Sequence, residues 1–260
     1  MSMKKYMFIL TFAIALAGCE YDNYKDPDCY FTGTVKYNGK PFVFDSNVSA
    51  LKACQWGFGK EDGGQTIRIK EDGTFSQLFF PGDYKLTISN HQFPFCFPQF
   101  PSLGNGLGYD SISLKLTGDK QMDFEIVPYY VFDTVYFEPL DENSTELKVT
   151  AKISRVHDDR ITIDVPMVQR AYIYAGINQF VNSATTLTKG SRPLKIDESE
   201  EVTIRLDLTK YYEPTFYVNN YRNYLYFRVG IELAAPCTGY YLFSDLYRVD
   251  NIPMEKLRKK

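Results

Sequence analysis

A chain of 260 residues with 44% hydrophobic side chains has material for two modest domains or one large β domain, and that share excludes wholesale disorder. Aromatic residues make up 16%, nearly all Tyr (21) and Phe (20), and such side chains suit pleated sheets. A formal charge of −3 argues against nucleic acid as a partner, since that binding rests on basic residues neutralising phosphates.

At the N-terminus, Lys4 and Lys5 precede an apolar run, Tyr6 to Ala17, that is too short to span a bilayer. It ends in Leu16-Ala17-Gly18-Cys19, which reads as a bacterial lipobox. Residues 1–18 are then a lipoprotein signal peptide, and Cys19 carries the lipid that anchors the chain to a membrane without crossing it. An ordinary secretory signal with a chance cysteine is the alternative. Cleavage removes Lys4 and Lys5 and leaves 27 basic against 32 acidic side chains, a balance of −5. Residues 19–28 are polar and acidic and read as a tether.

Residues 29–128 carry the signals of about seven short strands and suggest a β-sandwich. Tyr30 to Tyr37 leads to Asn38-Gly39, a tight-hairpin signal. Val48 to Cys54, a loop from Gln55 to Gln65, and Thr66 to Lys70 follow. The stretch Glu71 to Leu86 holds two turn signals, Asp72-Gly73 and Phe80-Pro81-Gly82-Asp83, between strand-like runs. It reads as a hairpin centre, pairing Thr74 to Phe79 with Tyr84 to Ile88. Ser111 to Leu116, the Thr117-Gly118-Asp119 turn and Met122 to Val127 complete the set. Asn90 to Tyr109 is a long insertion with three Pro, four Phe and three Gly, and loops of that length are functional or packed by their own side chains.

Residues 129–252 read as a second sandwich of immunoglobulin or fibronectin-III type, with 253–260 a solvated basic tail. Strands are expected at Val131 to Phe137, Leu147 to Ile153, Ala171 to Ala175, Val202 to Leu208, Leu225 to Leu233 and Tyr241 to Arg248. Tyr224, Tyr226, Arg228 and Gly230 fall on one face of the penultimate strand, and either tyrosine is a candidate tyrosine corner. The fold class is all-β, two sandwiches in series, without a helix longer than two turns.

Beyond Cys19 the cysteines are Cys29, Cys54, Cys96 and Cys237, with no paired spacing and no CxxC, so buried free thiols are expected and Cys54–Cys96 is the one bridge to test.

The lipobox, Tyr21-Asp22-Asn23-Tyr24, Gly33-Thr34-Val35, Tyr37-Asn38-Gly39-Lys40-Pro41, Gln55-Trp56-Gly57-Phe58, Asp72-Gly73-Thr74-Phe75, Gly82-Asp83-Tyr84-Lys85-Leu86 and Arg228-Val229-Gly230 occur in that order. Together they resemble the lipoproteins of domain-of-unknown-function family 3823 from gut Gram-negative anaerobes. The resemblance implies a prealbumin-like (carboxypeptidase-regulatory-like) N-terminal domain and a fibronectin-III-like C-terminal one. It also implies association with starch-utilisation-type outer-membrane receptors that take up glycans. It carries over no catalytic residue and no cofactor.

The residues themselves give little to catalysis. Two histidines, His91 and His157, are too few for a three-histidine metal site, and His157-Asp158-Asp159 reads as a solvated turn. No acidic pair stands in a distinctive setting for glycoside hydrolysis, and Asp62, Asp72 and Asp110 beside glycines are explained by turn chemistry rather than calcium. No metal and no cofactor is expected. Aromatic surfaces are the sharper lead, because sugar C–H faces stack on flat side chains. Trp56, Phe58, Tyr109, Tyr217 and Tyr221 are the candidate ligand or partner contacts, drawn from clusters that include Tyr211, Tyr212, Phe216 and Tyr224. Strand parity places Trp56 at the tether end and the Phe-rich loop where the second domain begins. At least half of Phe93, Phe95, Phe97 and Phe100 are therefore expected to pack the domain junction. Three readings stand: a non-catalytic outer-membrane lipoprotein assisting glycan capture with a receptor complex, an adaptor docking that receptor without binding glycan, and an enzyme.

Overall fold

The structure, a computed structural model, describes residues 26–45, 48–55, 64–89, 92–103, 110–141, 143–186, 188–209 and 223–252. The signal peptide, Cys19, most of the tether, the 253–260 tail and the aromatic residues Trp56, Phe58, Tyr109, Tyr211, Tyr212, Phe216, Tyr217 and Tyr221 lie outside the described residues, as does His91. Among those described there is no α-helix, and no helix long and apolar enough to cross a membrane.

The first unit holds β1 (Cys29–Tyr37), β2 (Lys40–Pro41), β3 (Val48–Gln55), β4 (Gln65–Ile69), β5 (Thr74–Phe79), β6 (Gly82–Ile88), β7 (Phe95–Cys96), β8 (Ile112–Leu116), β9 (Lys120–Gln121), β10 (Phe124–Glu125) and β11 (Val127–Pro128). β1 is the centre of one sheet. It pairs antiparallel with β5 and β2 along one edge, and parallel with β9 and β10 along the other. The facing sheet runs β4-β3-β6-β8, all antiparallel. Phe31, Val35, Phe75 and Phe79 from the first sheet meet Leu51, Ile67, Leu86 and Leu114 from the second, all buried.

The Asn38-Gly39 turn is the expected tight hairpin, with φ of 50° and 74° and the pairs Lys36↔Pro41 and Tyr37↔Lys40. The hairpin expected over Glu71 to Leu86 does not form. β5 pairs with β1, while β6 pairs with β3 and β8, so the two runs lie in opposite sheets. Two-residue hairpins need positive φ in the turn, and neither Phe80, Pro81 nor Gly82 supplies it. The chain instead turns a corner across the core. There Phe79 meets Tyr84 edge-on at 5.2 Å, and the Tyr84 hydroxyl donates to the Phe80 carbonyl at 2.8 Å.

The parallel edge of β1 is finished by side chains as well as backbone. Tyr30 N donates to Asp119 Oδ1 at 2.8 Å and Thr34 N to Asp123 Oδ1 at 2.9 Å, while Met122 N and Ile126 N donate to the Thr32 and Lys36 carbonyls. A Cβ on Gly33 would sit 1.9 Å from the Met122 carbonyl oxygen, so only glycine lets this edge close.

The second unit holds β12 (Tyr130–Phe137), β13 (Glu146–Arg155), β14 (Val168–Gly176), β15 (Thr188–Ile196), β16 (Ser199–Asp207), β17 (Leu225–Leu233), β18 (Tyr241–Phe243) and β19 (Tyr247–Val249). One sheet is β12-β13-β16; the other is β15-β14-β17-β18, with β19 also on β17. Leu147, Val149, Ala151 and Ile153 face Leu225, Phe227, Val229 and Ile231 across a buried core. β15 is a strand the sequence pattern missed. Its Gly190 and Pro193 speak against a strand, but it pairs only with β14, and proline is tolerated on such an edge. A tyrosine hydroxyl bonded to backbone is present at Tyr130, 3.3 Å from both the Ile196 and Asp197 carbonyls. Tyr224 and Tyr226 instead hold the Arg248 guanidinium, 4.2 and 5.9 Å from their ring centres.

Only Tyr129 separates β11 from β12. Its N–H donates to the Pro94 carbonyl at 2.9 Å and its carbonyl accepts from Val156 N at 2.9 Å, so it is bonded into both units. Buried side chains of the two units form one continuous apolar cluster.

Candidate functional site: a cleft between the two units

The β2–β3 connection, Phe42-Val43-Phe44-Asp45, is the wedge between the units. It is extended, so alternate side chains go opposite ways. Phe42 and Phe44 pack edge-on at 5.1 Å and both meet Phe95, at 6.2 and 5.5 Å. Val43 turns the other way, onto a group formed by Tyr174, Val181 and Phe243 on the second unit. In that group Tyr172 and Tyr174 stack at 5.3 Å and Tyr241 stands perpendicular to both. Tyr172 Oη donates to Glu232 Oε2 at 2.7 Å. Burial, with Glu232 second, pushes the Tyr172 hydroxyl well above the usual phenol range; burial does the same to Tyr174.

The loop after β14, residues 177–186, closes the contact. Asn182 is fully buried. Its Oδ1 accepts from Ala184 N and Thr185 N at 2.8 and 2.9 Å, and its Nδ2 donates to Glu71 Oε1. Ser183 gives its backbone N–H and its hydroxyl to the two oxygens of Asp45. Asn178 Oδ1 accepts from Phe180 N at 3.0 Å, and the Thr185 hydroxyl donates to the Phe180 carbonyl. These bonds fix the loop with the Phe180 ring left 59% exposed.

Between that loop and the first unit lies an open cleft of about 640 Å³, lined by Pro41, Val43, Lys70, Glu71, Asp72, Gln179, Phe180, Arg228 and Leu246. Asp72 sits at the turn before β5, where Gly73 takes a φ of 79°. Its carboxylate accepts from Thr74 N at 3.0 Å and Thr74 Oγ1 at 2.7 Å; the hydroxyl bond above all holds its pKa below the usual carboxylate range. Arg228, on β17 opposite Tyr174, forms the floor. It is 9% exposed, and its Nε and Nη1 have no hydrogen-bond partner. Burial pulls its pKa down, against the pull of the Glu71, Asp245 and Asp45 carboxylates. An arginine stays charged under such a shift. The cleft thus offers one flat apolar ring, a buried cation with unused donors, a rim cation, two carboxylates and an amide.

The Phe-rich loop divides its side chains. Phe93 packs on Tyr240 of the second unit at 4.8 Å and stacks on Phe95 at 5.2 Å, while β7 pairs with β11 at the junction. Phe97 bridges Phe95 to Phe100, and Phe100 stacks on Phe124 in the core of the first unit. All four rings are at most 5% exposed. Cys29, Cys54, Cys96 and Cys237 carry no disulfide, so the Cys54–Cys96 bridge is absent. His157 is exposed and meets Glu198 at 2.8 Å. Among the described residues no group of His, Cys, Asp and Glu is arranged to hold a metal.

Sequence reasoning missed the Phe42–Asp45 wedge, Asn182, Phe180 and the setting of Arg228. Four consecutive residues, Pro41 to Phe44, without a charge straight after a tight turn were a signal of burial on both sides. So was an arginine set among Leu225, Phe227, Val229 and Ile231 in β17.

Residues 29–127 match the family described as protein of unknown function (DUF3823), N-terminal domain, and residues 135–247 match its companion, domain of unknown function (DUF3823_C). No curated protein matches the chain. Crystal structures of DUF3823 proteins from Parabacteroides merdae and Bacteroides ovatus are similar in fold. The first is 19% identical with a TM-score of 0.59, covering 87% of this chain and 100% of its own. The second is 21% identical with a TM-score of 0.56, covering 86% of this chain and 99% of its own. A Bacteroides uniformis protein provisionally named as carbohydrate binding is 17% identical with a TM-score of 0.60, covering 86% of this chain and 100% of its own.

Proposed function

The chain belongs to the DUF3823 family, and from that premise we propose that it is a non-catalytic lipoprotein of the outer-membrane surface that assists glycan capture beside an uptake receptor. The observation that carries the reading is Phe180, a mostly exposed ring fixed by side-chain bonds at the rim of a cleft whose other walls are Lys70, Asp72, Gln179 and Arg228. Sugar rings ask for that combination: a flat apolar platform for the C–H face, with donors and acceptors around it for the hydroxyls. The name given to the Bacteroides uniformis neighbour points the same way. The prealbumin-like and fibronectin-III-like assignments of the two units belong to this reading, as do the anchor on Cys19 and the outer-membrane location.

Affinity electrophoresis against a polysaccharide panel tests the reading. Retardation that Phe180→Ala removes is the expected result; free migration through every gel would refute direct binding. An adaptor reading is favoured by a different observation: Tyr30 and Phe80, 50% and 43% exposed, stand at the end of β1 and β5 nearest the tether. Co-purification with an outer-membrane barrel in the absence of glycan affinity would select it.

A further inference from the structure

We propose that the inter-unit cleft selects acidic glycans, with the carboxylate of a uronic acid seated on Arg228; the inference rests on the glycan-capture reading above. Four features of the cleft carry it.

Arg228 is more than nine-tenths buried, yet two of its three nitrogens are unpaired among the described residues. Buried guanidinium donors are ordinarily satisfied, and this pair, closed to solvent in the wall that Arg228 gives the cleft, is left for an acceptor that enters over the guanidinium edge. The neighbouring carboxylates do not fill that role. Glu71 is held by Asn182 and Asp45 by Ser183, while Asp245, just after β18, is exposed. Their charges make a buried cation tolerable without using its hydrogens. Each unpaired nitrogen flanks Nη2, so a planar acceptor with two oxygens matches either edge of the guanidinium, Nε with Nη2 or Nη1 with Nη2, better than any single hydroxyl.

Lys70 adds a second cation at the rim, on the first unit, so an anionic group entering the cleft passes between positive charges from both units. Asp72 and Glu71 restrict the pose. They repel a carboxylate placed on their side and accept from hydroxyls, which orients the acid toward Arg228 and the neutral edge of the ring toward the turn before β5. Phe180 supplies the face on which that ring lies.

The test uses the mature-length chain and three uronic-acid polymers, polygalacturonate, alginate and hyaluronan, each beside its carboxyl-reduced neutral form. Binding is read by affinity electrophoresis and by titration calorimetry of oligomers. At least one acidic polymer is expected to bind ten-fold or more tightly than its reduced form, with the difference shrinking as salt rises. Arg228→Gln should abolish the difference. Lys70→Ala, at an exposed position that folding does not depend on, should reduce it two- to five-fold, so the test survives a misfolded Arg228 variant. Phe180→Ala should weaken acidic and neutral forms alike. Equal binding of acidic and reduced forms, or binding of neutral glycans alone, would overturn the inference and leave the capture reading in place. Binding of none of these polymers, with no retardation by any neutral glycan, would overturn both.

Discussion

The side-chain amide of Asn182 donates to the carboxylate of Glu71, 111 positions earlier in the chain, and ties the loop after β14 to the turn that launches β5. Both ends of Asn182 are committed, one to its own loop and one to the other unit. Replacing it by alanine strands a part-buried carboxylate and uncaps the loop. Asn182→Ala should lower stability by about 2 kcal/mol in chemical denaturation. A double-mutant cycle with Glu71→Ala should return a coupling of about 1 kcal/mol or more; purely additive effects would mean the clasp is not an energetic link.

Gly33 and Gly118 make a matched pair. A Cβ at Gly33 would meet the Met122 carbonyl oxygen at 1.9 Å, while one at Gly118 would meet nothing within 4 Å. Gly33→Ala should cost more than about 3 kcal/mol by forcing β9 off β1. Gly118→Ala should stay within about 0.5 kcal/mol. Thermal melts of the two variants side by side decide it.

Phe95 is the ring through which the wedge, the Phe-rich loop and the junction communicate, touching Phe42, Phe44, Phe93 and Phe97. Phe95→Ala should cost about 3–5 kcal/mol. Because the apolar cluster runs through both units, the loss should appear as one cooperative transition moved down. Two separate transitions, with only the first unit destabilised, would contradict the continuous core.

Alkaline pH should destabilise the protein through its thiols. Burial pushes Cys96 and Cys237 up to about 11 from an ordinary thiol value of 9.0. Between these two values the unfolded chain has released the thiol proton and the folded chain retains it. Stability from this source is therefore complete below about pH 9 and falls as pH rises toward 11. The loss is on the order of 2 kcal/mol per thiol. Urea denaturation at pH 8 and pH 10.5 measures it, and Cys96→Ala with Cys237→Ala should shrink the difference by the thiols' share, leaving the part that the buried phenols of Tyr172 and Tyr174 contribute. Both thiols should also resist alkylation at pH 8 while the protein is folded.

What was legible in the sequence was local. Alternation in Leu147 to Ile153 and in Leu225 to Leu233 gave the strands and the inner face of each, because a period of two needs nothing beyond the segment itself, while the burial of β17 on both faces from Phe227 to Leu233 was not in the pattern. Asn38-Gly39 gave its hairpin for the same reason. Pairing partners were less accessible. Glu71 to Leu86 has turn residues at strand spacing, yet its two strands belong to different sheets, since corners and hairpins share Gly and Pro and differ in φ. The cleft was the least legible, for its walls come from five segments between residues 41 and 246. Arg228 was visible as a member of one face of β17, but what covers that face is the other unit, and no pattern within β17 encodes that.

β1 is the first strand among the described residues and lies at the centre of its sheet, with Asp119, Met122, Asp123 and Ile126 completing its far edge. During synthesis this strand waits for about a hundred further residues before its last partners leave the ribosome. The nascent first unit therefore carries an open, aromatic strand edge for most of its elongation. Such edges recruit neighbouring chains. Holdase chaperones should engage this protein early and release it only after the segment that ends in Pro128 has emerged.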